Sequence, residues 1–199
     1  MIDLSSTIVP KSDQLNAEDF ISGSLTFTVL DVSVKDAPEQ PVSIKFAGGF
    51  RPWKPCKTMR RVLVLGWGAD AEQYIGRSLT ILRDPSVKWA GKQEGGIRIA
   101  AMSDIPRRIE VMLSETKGKR TLQQIDVLAP NDIPHTSDDI AIARRVAKGA
   151  LGRGWNREQI ESAMGGVKIE DMTPDQRGRF LRDLMHAPGT VSKPEEGRA

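Results

Sequence analysis

One cysteine, two histidines, one tyrosine and an aromatic content of 5% leave this 199-residue chain short of several kinds of chemistry. The lone Cys56 excludes an internal disulfide and a cysteine-based zinc site, and it fits a reducing compartment. His135 and His186 stand apart from each other and from any acidic cluster of metal-ligand spacing, so neither a metal centre nor a histidine-dependent catalytic constellation is expected. No run approaches the length of a membrane span. The opening residues MIDLSSTIVPK lack the cationic start and apolar stretch of a signal peptide. The expectation is a cytoplasmic protein with no cofactor and no membrane contact.

Nucleotide and hydrolase signatures are missing as well. GxxxxGK[ST], HExxH and GxSxG do not occur. Val62-Leu-Val-Leu65 does lead into Gly66-Trp-Gly68-Ala-Asp-Ala71, which matches GxGxxA, with Asp84 near the place of a ribose-binding acid. The context fails: the next strand, near Leu79, follows too soon for a crossover helix, which takes about a dozen residues. Asp70 would also bring negative charge to the pyrophosphate. No catalysis is expected.

What is present is an ordinary folding composition, 39% apolar and 28% charged. Leu25-Thr-Phe-Thr-Val29 alternates as a half-buried strand does, and Leu30, Val32 and Val34 alternate in the opposite phase, which predicts a bulge near Val29–Leu30. Val42, Ile44 and Phe46 complete a hairpin. A helix capped by Thr58 runs through Met59 to Trp67, although Val62–Leu65 also reads as a strand. Short strands follow at Leu79–Arg83, Val87–Trp89, Ile97–Ala100, Ile109–Leu113 and Thr121–Val127. The spacing predicts a mainly β domain over 1–130, an OB-like barrel or a small sandwich.

Beyond the linker at Ala129–Pro134 the period becomes helical. Ile140, Ala143, Val146, Ala147 and Ala150 share a face, and Asn156 with Gln159 and Thr173 with Gln176 form capping-box patterns. Helices near 137–151, 157–164 and 174–186 make a small α-helical C-terminal interaction domain over 135–190, whose apolar faces must bury against one another or a partner.

Charge is unevenly placed. Residues 1–130 carry 18 Lys+Arg against 15 Asp+Glu, whereas 131–199 carry 11 against 11. Single-stranded nucleic acid needs cations for its phosphates and exposed aromatic rings for its bases. Two clusters offer both: Arg51, Trp53, Lys54, Lys57, Arg60 and Arg61, then Lys88, Trp89, Lys92 and Arg98 on a glycine-flanked hairpin. A charge run is more often a solvated face, and a tryptophan more often core. Trp67, beside Val62–Leu65, is expected in the core; Trp53 and Trp89, flanked by Lys and Pro or Gly, are expected to be partly exposed.

Two resemblances bear on these residues. QPVSIKF from Gln40, KPCKTMRRVL, YIGRSLTILRDPSVKW and GGIRI resemble a family of small phage-encoded proteins over roughly 15–105. Gly154-Trp155 and Asp171-Met172-Thr173-Pro174-Asp175-Gln176 are similar to the helical segment that ends many phage single-strand annealing proteins of the Erf and RecT type. That resemblance implies a phage replication or recombination module acting in a bacterial host cell. The expected function is non-catalytic binding of single-stranded DNA by the β domain, with a protein partner for the helical tail and room for a homo-oligomer. The alternative is a phage interaction protein that binds and modulates a host protein, a defence or replication component.

Overall fold

The computed structural model describes residues 12–88, 94–116, 119–134 and 136–185. β1 (Leu25–Val34) pairs antiparallel with β2 (Val42–Phe46), and the register shifts between Val29 and Asp31. The phase change in the sequence is therefore a bulge at Leu30. β3 (Ser78–Asp84), β4 (Gly96–Met102), β5 (Ile109–Thr116) and β6 (Lys119–Val127) complete one six-stranded sheet in the order β2-β1-β3-β4-β6-β5. All neighbours are antiparallel except β4 and β6, which run parallel and meet only at Ala101↔Asp126 and Met102↔Val127.

The protein is β-rich with helices, but the sheet is open, with β2 and β5 as its edges. Neither a closed barrel nor a second sheet is present among the described residues. The inserted helix α1 (Lys57–Trp67) supplies the cover that closure would have given, burying Met59, Val62, Leu63 and Trp67 while packing on β4 and β5. Its N-cap is Cys56 rather than Thr58. The expected strand at Val87–Trp89 is also corrected as far as it is described. Ser86 donates to Asp84 Oδ1 from its backbone N at 2.9 Å and from Oγ at 2.6 Å, and this side-chain turn ends β3, leaving Val87 and Lys88 outside any strand. Trp89, with the rest of that hairpin tip, lies outside the described residues, as do His135 and His186.

The aromatic residues collect where β1, β2 and the basic segment converge. Phe27 stacks on Phe46 at 4.6 Å, Phe46 on Trp53 at 6.5 Å, and Phe20 meets Phe27 edge-on at 6.2 Å. On the other face of β1 and β3, hydroxyl pairs satisfy each other: Thr26 with Thr80 at 2.8 Å and Thr28 with Ser78 at 2.9 Å.

α2 (Asp139–Gly152), α3 (Arg157–Met164) and α4 (Pro174–Met185) follow. Both capping boxes form: Gln159 N donates to Asn156 Oδ1 at 2.8 Å and Asn156 N to Gln159 Oε1 at 2.9 Å, and Thr173 N donates to Gln176 Oε1 at 2.8 Å. The apolar faces bury against one another and also against the sheet. The contact point is Gly76, where a Cβ would lie 2.7 Å from Met185 Cε, 3.1 Å from Val146 Cγ2 and 3.3 Å from Ile142 Cγ2. Its φ of +84° is a conformation that side chains disfavour in any case. Gly76→Ala should therefore lower stability by about 1–3 kcal/mol through strain and overpacking together, seen as an earlier urea midpoint with an unchanged m-value. An unchanged midpoint would mean the helices do not press on the sheet here.

Candidate functional site

Of the ten residues singled out from sequence, eight lie among the described residues, and one of these, Trp53, is not at the surface. Arg51 donates through Nη1 to the carbonyls of Ser12 at 3.1 Å and Gln14 at 2.8 Å, and pairs through Nη2 with Asp19. It staples the segment before β1 to the core. Lys54 pairs with Asp13 at 3.0 Å, and Arg98 with Asp84 at 3.1 Å. Trp53, expected to be partly exposed, is 2% exposed. Its backbone exchanges two hydrogen bonds with Ile44, both 2.8 Å, which fold the residue onto β2 and turn the indole toward Phe46. It is a core residue and offers no stacking face. Trp67 is core as expected.

Lys57, Arg60 and Arg61 on α1 and Lys88 after β3 make no ion pair among the described residues; Arg60 is half-buried and the others are exposed. Trp89 and Lys92 lie outside the described residues. Arg98 and Arg83 line a shallow groove of about 490 Å³ beside the parting of β4 from β6, yet Asp84 and Asp126 line it too. Its charges cancel.

A different place concentrates positive charge. Between the segment 72–77 and α2 lies a cleft of about 760 Å³, into which Arg77, Arg144, Arg145, Lys148 and Arg153 project against one described carboxylate, Glu72. Local structure explains each position. The β1 bulge region holds Arg77 by its backbone: Val29 N donates to the Arg77 carbonyl and Gly76 N to the Val29 carbonyl, both at 2.9 Å. The register shift also brings Asp31 within 2.8 Å of Arg145. α2 buries Ile142, Ala143, Val146 and Ala150, which leaves Arg144, Arg145 and Lys148 on its polar side. Arg153 ends the helix and folds back along it, its Nη2 donating to the Leu184 carbonyl at 3.3 Å. Gly149 leaves the room, since a Cβ there would come within 3.0 Å of Arg153 Nη1.

The five cations fall into two groups. Arg144 is bound by Glu170 and Arg145 by Asp31. Arg77, Lys148 and Arg153 have no carboxylate within ion-pair distance among the described residues. Arg77 is half-buried, its guanidinium 5.9 Å above the Trp67 ring, and its Nε is enclosed without a hydrogen-bond partner among the described residues. Burial pushes its pKa below the ordinary arginine value, the more distant Asp104 offsets part of that, and Arg153 adds to the lowering by repulsion. The cation–π contact compensates only part of the lost hydration.

This cleft is absent from the sequence expectation because the count for 131–199 is balanced and hides where the charges point. The available signal was Arg144, Arg145 and Lys148 at i, i+1 and i+4, opposite the apolar stripe of α2. No protein-family model, curated protein or solved structure matches the chain.

Two outcomes follow for the reassigned residues. Trp53→Ala should cost about 3–5 kcal/mol of stability, as truncation of a buried tryptophan does, read from urea unfolding; a loss below about 1 kcal/mol would contradict the core assignment. Burial by itself would raise the Asp84 pKa, but hydrogen bonds from Ser86 and the pairing with Arg98 outweigh it and hold the carboxyl below its ordinary value. Its contribution to stability is present above the unfolded carboxylate pKa of about 3.9 and is lost as pH falls through the lower folded value. Arg98→Met should move this acid-side loss to higher pH in urea midpoints measured from about pH 3 to 6, a range that brackets that pKa; an unshifted acid limb would remove the pairing from the account.

Proposed function

We propose that the chain is a non-catalytic binding protein for single-stranded DNA that seats the phosphate backbone in the cleft between residues 72–77 and α2. The carrying observation is the lining itself: five cationic side chains against one described carboxylate, three of them unpaired by acids among the described residues. Their arrangement favours a linear polyanion over a single ion. From Arg144 to Arg153 the helix rises about 13 Å at 1.5 Å per residue, so the positive charge forms a track. A cleft of about 760 Å³ is on the scale that holds one small ligand, room for a nucleotide or two and not for a duplex between its walls.

The proposal relocates the site that the sequence marked. An OB-like protein would bind on the face of its barrel strands, whereas here the helical part supplies four of the five cations. Lys57, Arg61 and Lys88 are exposed but do not line the cleft. A role in a phage replication or recombination module rests on the resemblance of the helical tail alone.

The test is fluorescence anisotropy of labelled single-stranded and duplex DNA across a salt series, with an oligonucleotide of about 30 nucleotides, long enough for about two to seven OB-fold sites. Single-strand binding should weaken log-linearly with salt, and converting Arg77, Lys148 and Arg153 together to glutamine should flatten the slope by about 2, at roughly 0.7 for each phosphate no longer neutralised. Lys54→Gln should leave the slope unchanged. A flat salt response in the unaltered protein, or a triple variant that is folded and binds as before, would defeat the cleft as the site.

A further inference from the structure

The cleft is asymmetric along its length. At the end of α2 nearer its start, Arg144 and Arg145 are each held by a carboxylate from elsewhere in the fold, Glu170 and Asp31. Toward the other end, Lys148, Arg153 and Arg77 have no such partner among the described residues, and Arg77 combines burial with an unused Nε. The ligand charge that each end can neutralise therefore differs. An internal phosphodiester carries one negative charge and two ester substituents. A terminal phosphomonoester carries nearly two at neutral pH, with three oxygens free to accept hydrogen bonds. Guanidinium groups receive such oxygens in pairs, and two guanidiniums can share one phosphate from different sides.

We propose that the Arg77–Arg153 end of the cleft is a terminal-phosphate pocket, so that the protein binds the phosphorylated end of a single strand and thereby fixes the strand's direction along α2. This rests on the strand-binding reading and adds a preference that strand binding alone does not require. Arg77 reaches the phosphate from the sheet side and Arg153 from the helix side, while Lys148 meets the phosphate next in line. The carboxylate-paired Arg144 and Arg145 lie farther along, where only single charges arrive and the existing partners compete for them.

The experiment compares three forms of one labelled oligonucleotide, bearing a 5′-phosphate, a 3′-phosphate or hydroxyls at both ends, against the full chain at fixed salt. One phosphorylated form should bind about tenfold tighter than the hydroxyl form, the gain expected of one added set of charge-assisted hydrogen bonds, and which form it is gives the strand's direction. Arg153→Gln, at the end of a helix, and Arg77→Lys, which keeps the charge but loses the planar fork, should each narrow the ratio between the phosphorylated and hydroxyl forms, beyond whatever affinity both forms lose in common. Equal binding of all three forms overturns the pocket and leaves strand binding standing. A gain that survives intact in both variants overturns it also, because the phosphate is then held elsewhere. Failure of every form to bind overturns both readings together.

Discussion

The close approach at Gly76 sets the rest of the molecule. Because nothing can project from that position, Ile142 and Val146 of α2 and Met185 of α4 rest directly against the chain just before β3. The contact joins the helices to the sheet in one continuous apolar core, which extends from Phe27 and Trp53 to Phe180 and Leu184. It also decides what stands at the rim. The residue after Gly76 is Arg77, and the polar side of α2 faces it across the cleft. A bulkier residue at 76 would lift the helix and widen the separation on which the facing of these charges depends.

Pairing, more than the number of cations, separates structural charge from available charge. Arg51, Lys54 and Arg98 each have an acid of their own, and Arg51 adds two backbone carbonyls. Releasing any of them to a ligand would forfeit those interactions. Among the described residues, Arg77, Lys148 and Arg153 have no carboxylate within ion-pair distance, and Asp104 acts on Arg77 only from farther away. Arg77 in addition carries a desolvation cost that Asp104 offsets only in part.

Local pattern was legible in the sequence wherever a residue's role depends on near neighbours. The phase reversal at Val29–Leu30 located the bulge, Asn156 with Gln159 and Thr173 with Gln176 marked two helix starts, and Val62–Leu65 placed Trp67 in the core. Trp53 shows where such reasoning stops. Its lysine and proline neighbours describe a surface, but the partners that bury it are Ile44 and Phe46, reached through a bridge to a strand earlier in the chain. Barrel closure failed for the same reason. Strand spacing reports how many strands there are and not whether β2 and β5 meet, and α1 occupied the face that closure would have covered.

The cleft was hidden by a different averaging. Counting charge over residues 131–199 gives balance, because all the acids of the tail are summed with α2, of which Glu170 pairs with its Arg144. The one carboxylate from the β domain that pairs with α2 among the described residues, Asp31, does so through the bulge that redirected β1. The same bulge region anchors Arg77 by its backbone. A single irregularity in one strand thus anchors a cation at the cleft and pairs another with an acid. The uneven charge pairing of the cleft is in this sense a property of the sheet, although most of its cations lie on the helix.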